Sequence, residues 1–306
     1  MIKFTSVSKY FSPEVYAVDN LTFEIEPGEM VLLTGPSGSG KTTIMRLLTR
    51  DYSATSGEIF FADKNLNELK KSEVHQHKRK IGVIFQDYKL LPELNIWENI
   101  ALPLSIIGKK QEEIESRVTD LLTLVSLTEK AYLFPKQLSG GEAQRISIAR
   151  ALSTGPAIIF ADEPTGNLDL ETSLEIGRLL QKINSFGTTL ILATHDQGII
   201  SLFKDARNIS LEKGKLKKDT GSKKTDKVKK VNFEEREAGL SHSEAKEANL
   251  GHKVKKVEEK REVKSEKNDS KNDKSEIKVE KHEDKKEKSK DNDKQKIDSK
   301  KQKTKS

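Results

Sequence analysis

Residues 35–43 read Gly35-Pro36-Ser37-Gly38-Ser39-Gly40-Lys41-Thr42-Thr43. Through Thr42 they match G-x-x-x-x-G-K-[ST], a spacing that lets backbone N–H groups turn inward around phosphates. A helix N-terminus behind such a loop adds its own unsatisfied N–H groups. Lys41 supplies a mobile positive charge for β- and γ-phosphates, and Thr42 a hydroxyl for Mg2+. Two acids close an apolar run further on, Ile158-Ile159-Phe160-Ala161-Asp162-Glu163. A carboxylate at the tip of a strand beside the phosphate loop can hold Mg2+ through water, and the next can polarise an attacking water. Two acids at a strand end are common by themselves, but paired with a phosphate loop they point to a nucleotide site. Leu138-Ser139-Gly140-Gly141-Glu142 precedes an expected helix over Ala143–Leu152, which Ser139 is placed to cap. That run suits an ordinary capped helix start or a second anion site aimed at a γ-phosphate.

These residues need elements to carry them. Leu21, Phe23 and Ile25 alternate with polar residues, as in a half-buried strand. Met30–Thr34, Ile81–Phe85, Ala157–Ala161 and Thr189–Ala193 are short continuous apolar runs suited to buried parallel strands. Between them, Ile114, Val118, Leu121, Leu122 and Val125 recur at helical spacing, and Leu174, Leu179, Leu180 and Ile183 fall largely on one face. Strands alternating with helices predict an α/β domain with a mainly parallel sheet. The helical block from about residue 93 to 151 lies between two strands and reads as an inserted subdomain.

Composition divides the chain. Of its 306 residues 34% are charged, with a formal net charge of +7. Residues 1–218 carry 27 basic and 27 acidic side chains, whereas residues 219–306 carry 28 and 21 and hold the whole excess. Charged residues exceed half of that second part and Phe233 is its only aromatic. Such a segment buries too little apolar surface to offset the entropy of ordering it. A globular domain over 1–218 and a disordered, Lys/Glu-rich, low-complexity tail over 219–306 are therefore expected. Cysteine is absent, which excludes disulfide scaffolds, thiol catalysis and Cys-ligated zinc. The apolar stretch Ile100–Ile107 falls far short of the ~20 residues that span a bilayer. Met1–Tyr10 has no signal-peptide core, so a cytosolic protein is expected.

Taken together, the motifs resemble the nucleotide-binding subunit of ATP-binding-cassette (ABC) transporters over about residues 1–215. The resemblance rests on the phosphate loop, Gln86 after Ile84-Phe85, Leu138–Glu142, Asp162-Glu163, Asn167-Leu168-Asp169, and His195 in Ala193-Thr194-His195-Asp196. It implies a P-loop NTPase fold of ABC type that hydrolyses ATP with Mg2+. Lys41 and the loop amides, with Thr43 beside them, would cradle the phosphates. Thr42, Gln86 and, through water, Asp162 would hold Mg2+. Glu163 would be the general base, and His195 would contact the γ-phosphate and the water. Phe11, with Tyr10 as the neighbouring alternative, would stack on adenine. Asp169 belongs to the same nucleotide-binding set. Two subunits would pair head to tail, each ATP lying between one copy's Lys41 loop and the other's Ser139, Gly140, Gly141 and Glu142.

Within that family, Phe85-Gln86-Asp87-Tyr88-Lys89-Leu90-Leu91-Pro92 and Ala161–Asp169 resemble the cell-division ATP-binding (FtsE) branch. That branch implies an FtsX-like polytopic membrane partner, peripheral placement on the cytoplasmic face, and control of septal cell-wall hydrolysis. Tyr88, Leu90, Leu91 and Trp97 could line a docking groove for that partner, though Leu91 and Trp97 equally suit the core. Lipoprotein-release or macrolide-export ATPases are the alternative, and a soluble ABC protein acting on nucleic acid a more distant one. Residues 213–230 hold nine lysines against Asp219 and Asp226. That cluster suits an anionic membrane surface; it lacks the interleaved aromatics that nucleic-acid binding favours.

Overall fold

The computed structural model describes residues 1–12 and 15–221. β1 (Ile2–Ser12) and β2 (Val15–Ile25) pair antiparallel. β3 (Met30–Thr34) leads through the glycine loop into α1 (Lys41–Leu48). β4 (Ser56–Phe61), β5 (Lys64–Asn65), α2 (Lys71–Lys78) and β6 (Ile81–Phe85) follow. Three helices come next, α3 (Ile96–Ile106), α4 (Gln111–Leu124) and α5 (Gly140–Leu152), forming the inserted helical subdomain. The chain then returns through β7 (Ile158–Asp162), α6 (Leu170–Ser185), β8 (Thr189–Thr194), α7 (Gln197–Leu202), β9 (Arg207–Glu212) and β10 (Lys215–Asp219).

The apolar runs become a six-stranded sheet in the order β10-β9-β3-β8-β7-β6, parallel except for the β9–β10 hairpin. A second, antiparallel sheet has the order β2-β1-β4-β5. Alternation along the parallel strands divides the apolar residues between two cores. Leu32, Ile159, Ala161, Leu190 and Leu192 face the helical side, together with Ile100, Val118 and Ile146. Val31, Leu33, Phe160, Ile191 and Ala193 face α1 and the antiparallel sheet, where Phe4 stacks on Phe23. Because both faces are covered, the site can form only where the parallel strands end.

α5 begins at Gly140, earlier than the expected Ala143, because Ser139 caps it. Glu142 N–H donates to Ser139 Oγ and Ser139 N–H to Glu142 Oε2, so the two residues satisfy each other's donors. Among the described residues no helix is long and apolar enough to cross a membrane.

The last strand continues one residue past 218, where composition placed the boundary. Asp219 accepts from Arg207 Nε and Nη2 at 2.8 and 2.6 Å, and buried Arg207 also pairs with Glu29 at 3.3 Å. The expected tail lies, from residue 222 onward, outside the described residues. Hydrogen bonding to the Arg207 guanidinium holds the Asp219 carboxyl below its ordinary value. Stability from this pair is therefore full above the unfolded carboxyl pKa of about 4 and is lost as pH falls through the depressed folded value. Asp219→Asn should lower unfolding stability by about 2 kcal/mol at neutral pH, less than for an isolated buried pair because Glu29 remains. The urea midpoints of variant and parent should converge in acid; a constant gap across pH would count against the pair.

Candidate active site

The register of the parallel strands gathers the motifs. Thr34 pairs with Thr194, Asp162 with Ala193, and Phe85 with Asp162. The carboxyl ends of β3, β8, β7 and β6 therefore carry the glycine loop, His195, Asp162-Glu163 and Gln86 side by side, the edge where open α/β sheets bind ligands.

The loop depends on its glycines. At Gly40 φ is 108°, and a Cβ there would meet Ala17 O at 2.7 Å. At Gly35 φ is 150°, and a Cβ would meet Leu211 O at 2.4 Å. No side chain caps α1, whose first amides are left for another acceptor. Lys41 is only 5% exposed; its Nζ donates to Gly35 O at 2.8 Å and Pro36 O at 3.1 Å, and lies 3.3 Å from Glu163 Oε1. Ser39 and Gly40 are buried beneath the loop, whereas Pro36, Ser37 and Gly38 form its exposed crest and Thr43 is half-buried on α1.

Glu163 takes the left-handed conformation, φ 49°, while its N–H donates to Ala193 O at 2.9 Å. The turn aims its carboxylate between two nitrogens: Oε1 faces Lys41, and Oε2 lies 2.8 Å from Nδ1 of His195. Thr42 Oγ1 donates to Asp162 Oδ2 at 2.8 Å. Burial pushes the Asp162 carboxyl up, against the Thr42 hydrogen bond and with the nearby Glu163 charge adding to the rise. Asp162 Oδ1 and Ser39 Oγ are both buried without a hydrogen-bond partner. The Thr42 hydroxyl and the Asp162 carboxylate, whose Oδ1 is left open, form a hard oxygen donor pair, which fits Mg2+.

Gln86 Nε2 donates to Asn167 Oδ1 at 3.2 Å, and Asn167 Nδ2 to Gln86 O at 3.4 Å. Asp169 caps α6, accepting from Thr172 N–H at 3.0 Å and Thr172 Oγ1 at 2.7 Å; these bonds hold its carboxyl low. Ser139, Gly140, Gly141 and Glu142 stand elsewhere, against Tyr88, Leu168 and Thr172, and Glu142 pairs with Lys130. The Lys130 hydrogen bond is the chief cause that lowers the Glu142 carboxyl. Among the described residues no hydrogen bond or ion pair joins this run to the Lys41 loop.

Phe11 is 56% exposed and meets Tyr52 edge-on at 5.2 Å, with Lys9 Nζ 5.3 Å from its ring. Arg46 of α1 donates to the Tyr52 hydroxyl. Tyr52 had no local signal in the sequence, since only the fold brings it beside Phe11. Tyr10 pairs instead with Tyr16. In the segment after Gln86, Leu90 and Trp97 pack on the core, whereas Leu91 is 38% exposed.

The ABC transporter family model matches residues 18–166. The cell division ATP-binding protein FtsE of Bacillus subtilis (strain 168) is 44% identical over 219 residues, covering 72% of this chain and 96% of the relative. The protein of that name from Escherichia coli (strain K12) is 44% identical over 216 residues, covering 71% and 97%. Among solved structures, a dimeric ATP-binding cassette in a post-hydrolysis state with ADP and Pi is 37% identical. It superposes with a TM-score of 0.65 over 72% of this chain and 97% of that one. The fold, the strand-end site and these relatives agree: the chain belongs to the ABC transporter family, as an ATP-binding and ATP-hydrolysing subunit closely related to FtsE.

Proposed function

We propose that the chain hydrolyses Mg-ATP in a head-to-tail homodimer and passes the resulting conformational change to an FtsX-like polytopic membrane protein in cell division. The observation that carries the reading is Glu163, held between Lys41 and His195 beside the Thr42–Asp162 pair. ATP phosphates take the loop amides, and Lys41 exchanges its carbonyl and Glu163 contacts for the β/γ-phosphates. Glu163, so released, accepts the proton of the attacking water. His195 keeps the Glu163 carboxylate oriented and reaches the γ-phosphate from an exposed position. Thr42, Gln86 and, through water, Asp162 would hold Mg2+, which would supply charge neutralisation at the phosphates. Phe11, braced by Tyr52, offers its ring to adenine. Ser139, Gly140 and Gly141 complete the other copy's site, in keeping with their separation from the Lys41 loop and with the dimeric cassette that this fold resembles.

The FtsE relatives support the membrane assignment and placement at the cytoplasmic face. Exposed Leu91, one short loop from Gln86, suits the partner's docking edge. Lys213–Lys230 would add contact with anionic lipid, at about 1 kcal/mol per free lysine. Lys215 and Lys217 already pair with Asp19 and Glu212, which leaves Lys213, Lys218 and the lysines beyond 221 for that contact. Affinity purification of the full chain from detergent-solubilised membranes should return one polytopic membrane protein in stoichiometric amount. Recovery with ribosomes or DNA and no membrane protein would overturn the assignment.

A further inference from the structure

The segment after Gln86 is bent in a way its residues do not favour. Tyr88 and Lys89 are consecutive non-glycine residues in the left-handed region, φ 60° and 51°, a conformation that side chains resist. The restraint comes from α5. Arg150 Nη1 donates to Lys89 O at 2.7 Å and Nη2 to Tyr88 O at 3.0 Å. The two carbonyls thus take the two arms of a planar fork, which a single ammonium matches less well. Gln144, also on α5 and fully buried, donates to Phe85 O at 3.4 Å. At the other end of the same helix a Cβ on Gly140 would meet the Tyr88 hydroxyl at 2.9 Å. Buried Asn99 of α3 fixes the next stretch, accepting from Leu91 N–H and donating to Leu91 O.

We propose that Arg150 and Tyr88 are positioning residues that couple the two half-sites of one chain. Arg150 holds the turn that follows Gln86, and the Tyr88 side chain carries the position of that turn to Gly140, about 15 Å along α5 from Arg150. Gln86 stands at this chain's own nucleotide and Gly140 at the partner copy's, so a shift at one ATP is transmitted to the other. This coupling rests on the dimeric reading given above.

The test is steady-state ATP hydrolysis by the full chain as a function of ATP concentration. The wild type should be cooperative, with a Hill coefficient near its limit of about 2 for two sites. Arg150→Ala should lower kcat roughly tenfold or more, as small misplacements of reacting groups do. Its KM should stay within about threefold and its Hill coefficient should fall toward 1. Arg150→Lys should recover only part of the lost turnover, because one ammonium does not reproduce the fork. Adding Lys89→Gly to Arg150→Ala should recover at least about threefold, because glycine adopts φ > 0 unaided. Tyr88→Phe, which keeps the half-buried ring, should lose cooperativity without a change in melting temperature; it carries the test if Arg150→Ala does not fold.

Unchanged kcat and cooperativity in Arg150→Ala and Tyr88→Phe would overturn the proposal, as would no recovery with Lys89→Gly. A non-cooperative wild type whose Glu163→Gln form stays monomeric with ATP would remove the dimer and this coupling together. A cooperative wild type with unaffected variants would remove the coupling alone.

Discussion

Replacing Glu163 by glutamine is expected to leave ATP binding intact and to lower turnover by about 10²–10⁴-fold, the contribution typical of a positioned general base. The amide keeps the shape of the carboxylate, so the left-handed turn at residue 163 and its N–H bond to Ala193 O need not change. What disappears is the negative charge and the basic lone pair. Lys41, now 3.3 Å from Glu163 Oε1, loses an attraction that competes with phosphate, so nucleotide affinity should hold or rise. His195, 2.8 Å from Glu163 Oε2, can still hydrogen-bond to the amide. With binding preserved and cleavage stopped, the variant should accumulate as a dimer on addition of Mg-ATP and not of Mg-ADP. Light scattering on the full chain reads the mass directly. Turnover within about threefold of wild type would remove Glu163 from the role of base.

The site was more legible in the sequence than the scaffold that assembles it. Each of these motifs is contiguous with the strand that presents it, so Gly35–Thr42, Asp162-Glu163 and His195 mark their own place at a strand end. The order of those strands has no such local mark. β3 sits between β8 and β9, both more than 150 residues later, and only the accumulated packing of two cores selects that arrangement. Local reading also fails where a residue is held by something distant. Tyr88 and Lys89 carry neither glycine nor asparagine to signal a left-handed turn, because the signal is Arg150 on α5. Asp219 looks like the first residue of a charged tail, since composition averages over a window and cannot see a buried Arg207 that requires a carboxylate. Asp169 shows the reverse. A motif member by its spacing, it is seen here capping α6.

Loss of Lys41 should act one step earlier than loss of Glu163. The Lys41 ammonium is nearly inaccessible and has three partners, Gly35 O, Pro36 O and Glu163 Oε1. Through those bonds the lysine ties down the start of the loop, and in the proposed role it passes its charge to phosphate. Lys41→Ala removes the charge and leaves Glu163 and Asp162 adjacent, with no cation between the loop and their carboxylates; bringing in a polyphosphate then adds to like-charge repulsion. One charge-assisted contact contributes roughly 2 kcal/mol, so ATP affinity should fall by about 30-fold or more. Lys41→Arg should not restore it, because a planar guanidinium does not reproduce the compact point charge that Gly35 O and Pro36 O share. Calorimetric titration of the full chain with Mg-ATP separates the two variants. Glu163→Gln should bind normally and not turn over, whereas Lys41→Ala should fail to bind at concentrations that saturate the wild type. A Lys41→Ala dissociation constant within about threefold of wild type would show that the backbone amides alone hold the phosphates, and that the lysine belongs to the cleavage step with Glu163.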